Sequence, residues 1–161
     1  MAAKVYIETS ILSYLTARPS SNLIAAAWQK ETIDWWEQRR EQFSLCISPV
    51  VIEEAGRGDA TAAARRIEAL RGLEVLPLTD AAVELARALI AEGGVPPKAL
   101  DDALHISIAA IEGIDYLLTW NCRHIDNAES KPKVRRICRE HGHKCPEIAT
   151  PIELMGNHPN G

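Results

Sequence analysis

Five short apolar runs punctuate this chain: Val5-Tyr6-Ile7, Leu45-Cys46-Ile47, Leu73 to Leu76, Tyr116-Leu117-Leu118 and Ile148-Ala149. The longer stretches between them carry apolar residues three and four apart, the period of helices rather than strands. Strands separated by helices do not pair as hairpins, because each return to the sheet is a crossover. The expected architecture is therefore α/β: a three-layer, Rossmann-like fold with a short-stranded, mainly parallel central sheet flanked by helices.

Turn and cap residues set the expected boundaries. Glu8-Thr9-Ser10 reads as a strand end and helix N-cap, with a short helix over Ile11 to Thr16 that stops near Arg18-Pro19. Leu23 to Gln42 reads as one long helix with apolar positions at Ile24, Ala27, Trp28, Ile33 and Trp36. Ser48-Pro49 supplies an N-cap and first helical residue ahead of Val50 to Ala55, and Ala60 to Arg71 is an Ala-rich helix. Thr79-Asp80 caps a helix ending at Ala91, and Pro96-Pro97 opens another over Lys98 to Glu112. Lys133 to His141 is the last clear helix, and Pro151 to Met155 is a turn. With no repeat, low-complexity tract or linker, one domain over residues 1–161 is expected.

Composition narrows the function. A chain of 161 residues with 47% hydrophobic and 25% charged residues has enough apolar side chains for a sizeable core. Its net charge of -4 excludes a domain that coats nucleic acid by bulk attraction. Any chemistry on nucleic acid must then rest on local basic patches or bound cations. The N-terminal residues lack the basic and apolar regions of a signal peptide, and no stretch reaches the ~20 apolar residues of a membrane span. Four cysteines are too few for a disulfide scaffold, so reduced thiols and a cytoplasmic location are expected.

In open α/β sheets, sites form beyond the carboxyl ends of the strands. Glu8 follows the first strand and Asn121 the fourth. Glu53-Glu54 closes the Val50-Val51-Ile52 run, and Asp101-Asp102 occupies the first turn of the Lys98 to Glu112 helix. There Leu100, Ala103, Leu104, Ile108 and Ile111 mark the expected buried stripe, with Asp102 and His105 on a shared face at its border. A carboxylate beside a buried stripe is costly unless paired or bound to metal. The plainer reading is that Asp101 and Asp102 complement the helix dipole.

These segments resemble four motifs of the PIN-domain ribonucleases, and among them the VapC-like toxin subunits of type II toxin–antitoxin pairs. Val5 to Leu12 resembles the opening strand with its acid. Ile47 to Ala55 resembles the second motif, Asp102-Ala103-Leu104-His105-Ile106 the third, and Tyr116 to Asn121 the fourth. The resemblance implies a metal-dependent endoribonuclease that hydrolyses RNA phosphodiester bonds, a homodimer, and a small antitoxin partner. It assigns catalysis and Mg²⁺ or Mn²⁺ binding to Glu8, Glu54, Asp102 and Asn121, with Ser10, Glu53, Asp101 and Thr119 in support. Glu53 is the alternative to Glu54, and Arg123 and Lys131 are candidate substrate contacts. Glu8 stands where relatives carry Asp, and Asn121 offers a neutral amide oxygen where many have Asp.

The chemistry suits the residue types. Hydrolysis of a phosphodiester needs an activated water, charge neutralisation and help for the leaving oxygen, all of which divalent cations supply. Such hard ions prefer carboxylate, carbonyl and water oxygens. Two rival readings are a catalytically degenerate PIN domain that binds a partner or RNA, and a Rossmann-like phosphohydrolase acting on small phosphate esters. Cys138, His141, His143 and Cys145 form a loose Cys/His cluster whose spacing is atypical of zinc sites. His105 is expected to be a hydrogen-bonded core histidine, and His124 a loop cap or substrate contact. Trp28, Trp35 and Trp36 are not expected to share one core, which leaves some for a second subunit or partner.

Overall fold

The computed structural model describes residues 1–156, so residues 157–161 of the expected domain lie outside the described residues. Strands β1 (Lys4–Ile7), β2 (Ser44–Ile47), β3 (Glu74–Val75), β4 (Tyr116–Leu118) and β5 (Glu147–Ala149) form one sheet in the order β3-β2-β1-β4-β5. Every pair is parallel, because each strand is followed by a helical crossover. The chain winds outward from β1 through β2 to β3, then returns to place β4 on the other side of β1. Strand order thus reverses between β1 and β4. Connections leaving these two strands diverge there and open a crevice at their carboxyl ends. Val5, Tyr6 and Ile7 of the central strand are fully buried, which explains why it reads as an unbroken apolar run.

Several helices depart from the expected boundaries for identifiable reasons. Helix α1 (Thr9–Thr16) starts before Ile11 because Glu8, not Ser10, caps it, its side chain accepting from the Ser10 amide. Helix α2 (Leu23–Gln38) ends short of Gln42. There the Gln42 and Phe43 amides bond to Arg39 and Arg40 carbonyls and tighten the chain into a 3₁₀ turn over Arg40–Gln42. That turn carries Phe43 onto Trp35, with ring centroids 5.8 Å apart.

The expected apolar face of α2 is also replaced. Its buried residues are Gln29, Thr32 and Trp35, whereas Ile24 is 67% exposed. Gln29 binds the Arg18 carbonyl and the Ser20 amide, and Thr32 accepts from the Trp120 indole. All three tryptophans of α2 find partners within the chain: Trp28 stacks on Trp120, Trp35 is buried, and the Arg40 guanidinium lies over Trp36.

Helices α3 (Pro49–Ala55), α4 (Ala60–Ala69) and α5 (Asp80–Ala91) follow the expected order, with Ser48, Asp59 and Thr79 as side-chain caps. Helix α6 (Leu100–Ile111) begins after Lys98, because Pro96 to Ala99 closes a turn through the Ala99 amide and Pro96 carbonyl. Packed against α5 and α3, it buries Ala103 and all of His105 to Ala110. The buried face is thus wider than the expected stripe, and Leu100 lies outside it, 47% exposed. Helix α7 (Lys131–Glu140) starts ahead of Lys133, since Pro132 is tolerated in a first helical turn.

Candidate active site at the carboxyl edge of the sheet

Pairing of Ile7 with Leu118 brings the ends of β1 and β4 together, and the Glu8 amide extends the ladder to the Leu118 carbonyl. Glu8 and Thr119 therefore emerge side by side. The Glu8 carboxylate, 5% exposed, accepts from Ser10 Oγ at 2.5 Å and Thr119 Oγ1 at 2.6 Å, and from the Ser10 amide at 3.1 Å. A carboxylate held so far from water requires such donors. Ser10 Oγ in turn accepts from the Trp120 amide, and Thr119 Oγ1 from the Asn121 amide. Thr119 thus serves its own turn through the Asn121 amide and also reaches Glu8.

The second acid is approached from two sides. Thr9 Oγ1 and His105 Nε2 both donate to Glu54 Oε1 at 2.6 Å. On its far side, His105 Nδ1 shares a 2.6 Å hydrogen bond with the Tyr6 hydroxyl, which lies 2.7 Å from Ser48 Oγ. Ser48 caps α3, the helix that carries Glu54. His105 is the fully buried, hydrogen-bonded core histidine expected of it. Tyr6 carries no functional signal in the sequence beyond being a polar-tipped aromatic in the middle of an apolar strand.

Charge runs along this chain of contacts. Burial pushes the Glu54 carboxyl upward, but the hydrogen bond and charge of His105 and the Thr9 hydroxyl hold it below the ordinary carboxylate range. Burial likewise opposes a proton on His105, yet the bond to Glu54 and the charges of Glu8, Glu54 and Asp102 hold the imidazole above its usual value. The two shifts agree on a carboxylate–imidazolium pair. Burial pushes the Tyr6 phenol well up, so it stays neutral and acts through its hydroxyl alone.

Asp102 and Asn121 meet through a third residue. Asp102 Oδ2 accepts from His124 Nδ1 at 3.0 Å, while Asn121 Oδ1 accepts from the His124 backbone amide at 2.9 Å. The loop is thus capped by Asn121 rather than by the His124 side chain expected to do so, and that side chain reaches an acid instead. Glu53, the alternative to Glu54, and the supporting Asp101 turn away. Arg57 gathers Glu53 at 2.9 Å and Asp101 at 3.4 Å on the surface, leaving Glu54 as the member of its pair that faces Glu8. Arg123 is exposed and enters no ion pair among the described residues, whereas Lys131 is tied to the half-buried Asp126 at 2.5 Å. The Cys/His cluster forms no cation site among the described residues: Cys138 and Cys145 meet through their thiols, but His141 pairs with Glu92 instead.

Among the described residues, the acidic or thiol/imidazole group compact enough for a cation is Glu8, Glu54 and His105, with one atom of each within 4.8 Å of the others. Both His105 nitrogens are already engaged. The donors left to a cation there are the Glu8 and Glu54 carboxylate oxygens; Asp102 lies outside this compact group and is joined to Asn121 through His124. That donor set fits a hard divalent ion rather than a soft one.

Residues 5–129 match the PIN domain model, and the chain belongs to that family. The fold is similar to that of VapBC2 from Rickettsia felis, crystallised bound to a DNA fragment from their promoter. The two share 15% identity at a TM-score of 0.58, covering 91% of this chain and 98% of that one. It is also similar to Mycobacterium tuberculosis VapC20, a Sarcin-Ricin loop cleaving toxin. Here the identity is 15% and the TM-score 0.57, with 74% of this chain and 91% of that one covered. At such identity the likeness is one of fold. No curated protein matches the sequence.

Proposed function

We propose that this protein is a metal-dependent endoribonuclease, the toxin member of a toxin–antitoxin pair, that hydrolyses RNA phosphodiester bonds. One observation carries the reading: the four PIN-like segments end in oxygen donors wired to one another at the point where strand order reverses. Ser10 and Thr119 join the first segment to the fourth, Thr9 the first to the second, His105 the second to the third, and His124 the third to the fourth. Glu8, Glu54, Asp102 and Asn121 would hold Mg²⁺ or Mn²⁺, which when bound neutralises phosphate charge and acidifies water. The chain's own contribution is to hold these oxygens in place before substrate arrives. A single domain, a homodimer, a small antitoxin and a cytoplasmic location belong to the same reading, supported by family membership and likeness to the VapBC2 fold.

A second reading has its own support. Glu8 folds back to cap α1 and accepts its hydrogen bonds from internal donors, and Asn121 brings no charge. Both features suit a PIN domain kept for binding. Labelled RNA incubated with the protein in Mg²⁺ or Mn²⁺ separates the two. Cleavage that stops in EDTA and in Asp102→Ala is expected. Persistence under either condition, or cleavage only of a generic phosphomonoester, would reject the nuclease assignment.

A further inference from the structure

Beside Asp102 lies a cleft of about 570 Å³ that the acidic site does not use, a size within the roughly 300–1,000 Å³ of small-ligand sites. One wall is the α5–α6 loop, including Pro96 and Pro97; the other is the segment running from Arg123 into α7 at Lys133. His124 belongs to both places, lining the cleft while its ring contacts Asp102 at 3.0 Å. The cleft is therefore separated from Asp102 by a single side chain, that of His124.

Two features hold its walls together. A Cβ on Gly94 would lie 3.0 Å from Ile137 Cδ1 and 3.3 Å from the Leu89 carbonyl, so any larger residue would have to push the loop or the Ile137 side chain aside. The Asn127 side chain accepts from the Glu129 and Ser130 amides and donates to the Cys122 and Arg123 carbonyls. It thereby fixes the backbone of Arg123 against the start of α7. Arg123 and Lys133 are both exposed and both lack an ion-pair partner among the described residues, unlike Lys131 between them.

We propose that this cleft takes the RNA strand flanking the scissile phosphate, with Arg123 and Lys133 on the backbone and a base or sugar against Pro96 and Pro97. The proposal rests on the nuclease reading above and names the subsite that reading lacks. A strand whose phosphate sits at the acids meets repulsion there without a cation, and two unpaired cations on the adjoining wall supply the compensating attraction. Apolar loop residues opposite them suit an unstacked nucleotide of a single strand rather than a duplex.

The test measures affinity without cleavage. A labelled single-stranded RNA 12-mer is titrated with the full chain in EDTA across a series of salt concentrations. Arg123→Ala/Lys133→Ala should weaken binding by roughly tenfold and flatten the log-affinity versus log-salt slope by about 1.4, the loss expected for two single-strand phosphate contacts. Arg71→Ala, at the opposite end of the sheet, should change neither. In Mn²⁺ the double variant should raise KM and keep kcat. Unchanged affinity and slope, or tight binding of an oligoglutamate peptide lost in the same variant, would overturn the assignment. Wild-type protein that binds RNA through these residues but never cleaves it fails the nuclease reading and keeps the cleft. Cleavage by the double variant at wild-type KM does the reverse.

Discussion

The two halves of the site are built differently. Around Glu8 and Glu54, every polar side chain is bonded to another: Ser10 and Thr119 hold one acid, Thr9 and His105 the other, and Tyr6 and Ser48 stand behind His105. Around Asp102 and Asn121 the bonds are fewer, and the flanking Arg123 and Lys133 face solvent. The first half is closed by its own hydrogen bonds, with Glu8 and His105 buried; the second is open at its flanking cations, although Asp102 itself is no more exposed than Glu54. Such a division lets a protein keep acids close together in the absence of a cation while leaving one side open to a strand.

That contrast can be broken by mutation, and the largest effect is expected in the buried half. His105→Ala removes one partner of a buried ion pair and leaves Tyr6 and Glu54 facing a void, so urea unfolding should report a loss of about 3–5 kcal/mol. Asp102→Ala should behave in the opposite way. Cleavage should fall by about 10²-fold or more, as for loss of other electrostatic contacts to a transition state, while unfolding shifts by no more than the ~1 kcal/mol of a helix N-terminal charge. Equal destabilisation by the two variants would erase the distinction.

Smaller effects sharpen it. Thr119→Val strips Glu8 of a donor and the Asn121 amide of its acceptor, and should lower stability by about 1–3 kcal/mol. Lys131 and Lys133 provide the finest test, since they sit on one helical turn. Lys131→Ala should cost about 2 kcal/mol, between exposed and buried pairs, because it abandons the half-buried Asp126. Lys133→Ala should change thermal unfolding by no more than about 0.5 kcal/mol.

How much of this was legible from the chain follows the same division. The strands could be read because central parallel strands are unbroken apolar runs, and Ser48-Pro49 and Thr79-Asp80 announce their helices locally. The positions of Glu8, Asp102 and Asn121 could be read because they end or open such elements. What escaped depends on partners remote in sequence. Gln29 and Thr32 face inward on α2 because of Ser20 and Trp120, and no periodicity of apolar residues reveals that. Tyr6 meets His105 across 99 positions, and nothing in Val5-Tyr6-Ile7 announces it. Glu53 and Glu54 differ only in which one the helix turns toward Glu8. The same holds for Lys131, whose spacing from Asp126 is visible but whose burial is not.

The central claim is that these oxygens form a divalent cation site. Calorimetric titration of the full chain with Mn²⁺ tests it directly, beside Glu54→Gln, which keeps the side chain's shape and removes its charge. Saturable binding by the wild type, with a matching rise in unfolding temperature and loss of both in the variant, is the predicted result. No binding by the wild type, or binding unaltered in Glu54→Gln, would contradict the account.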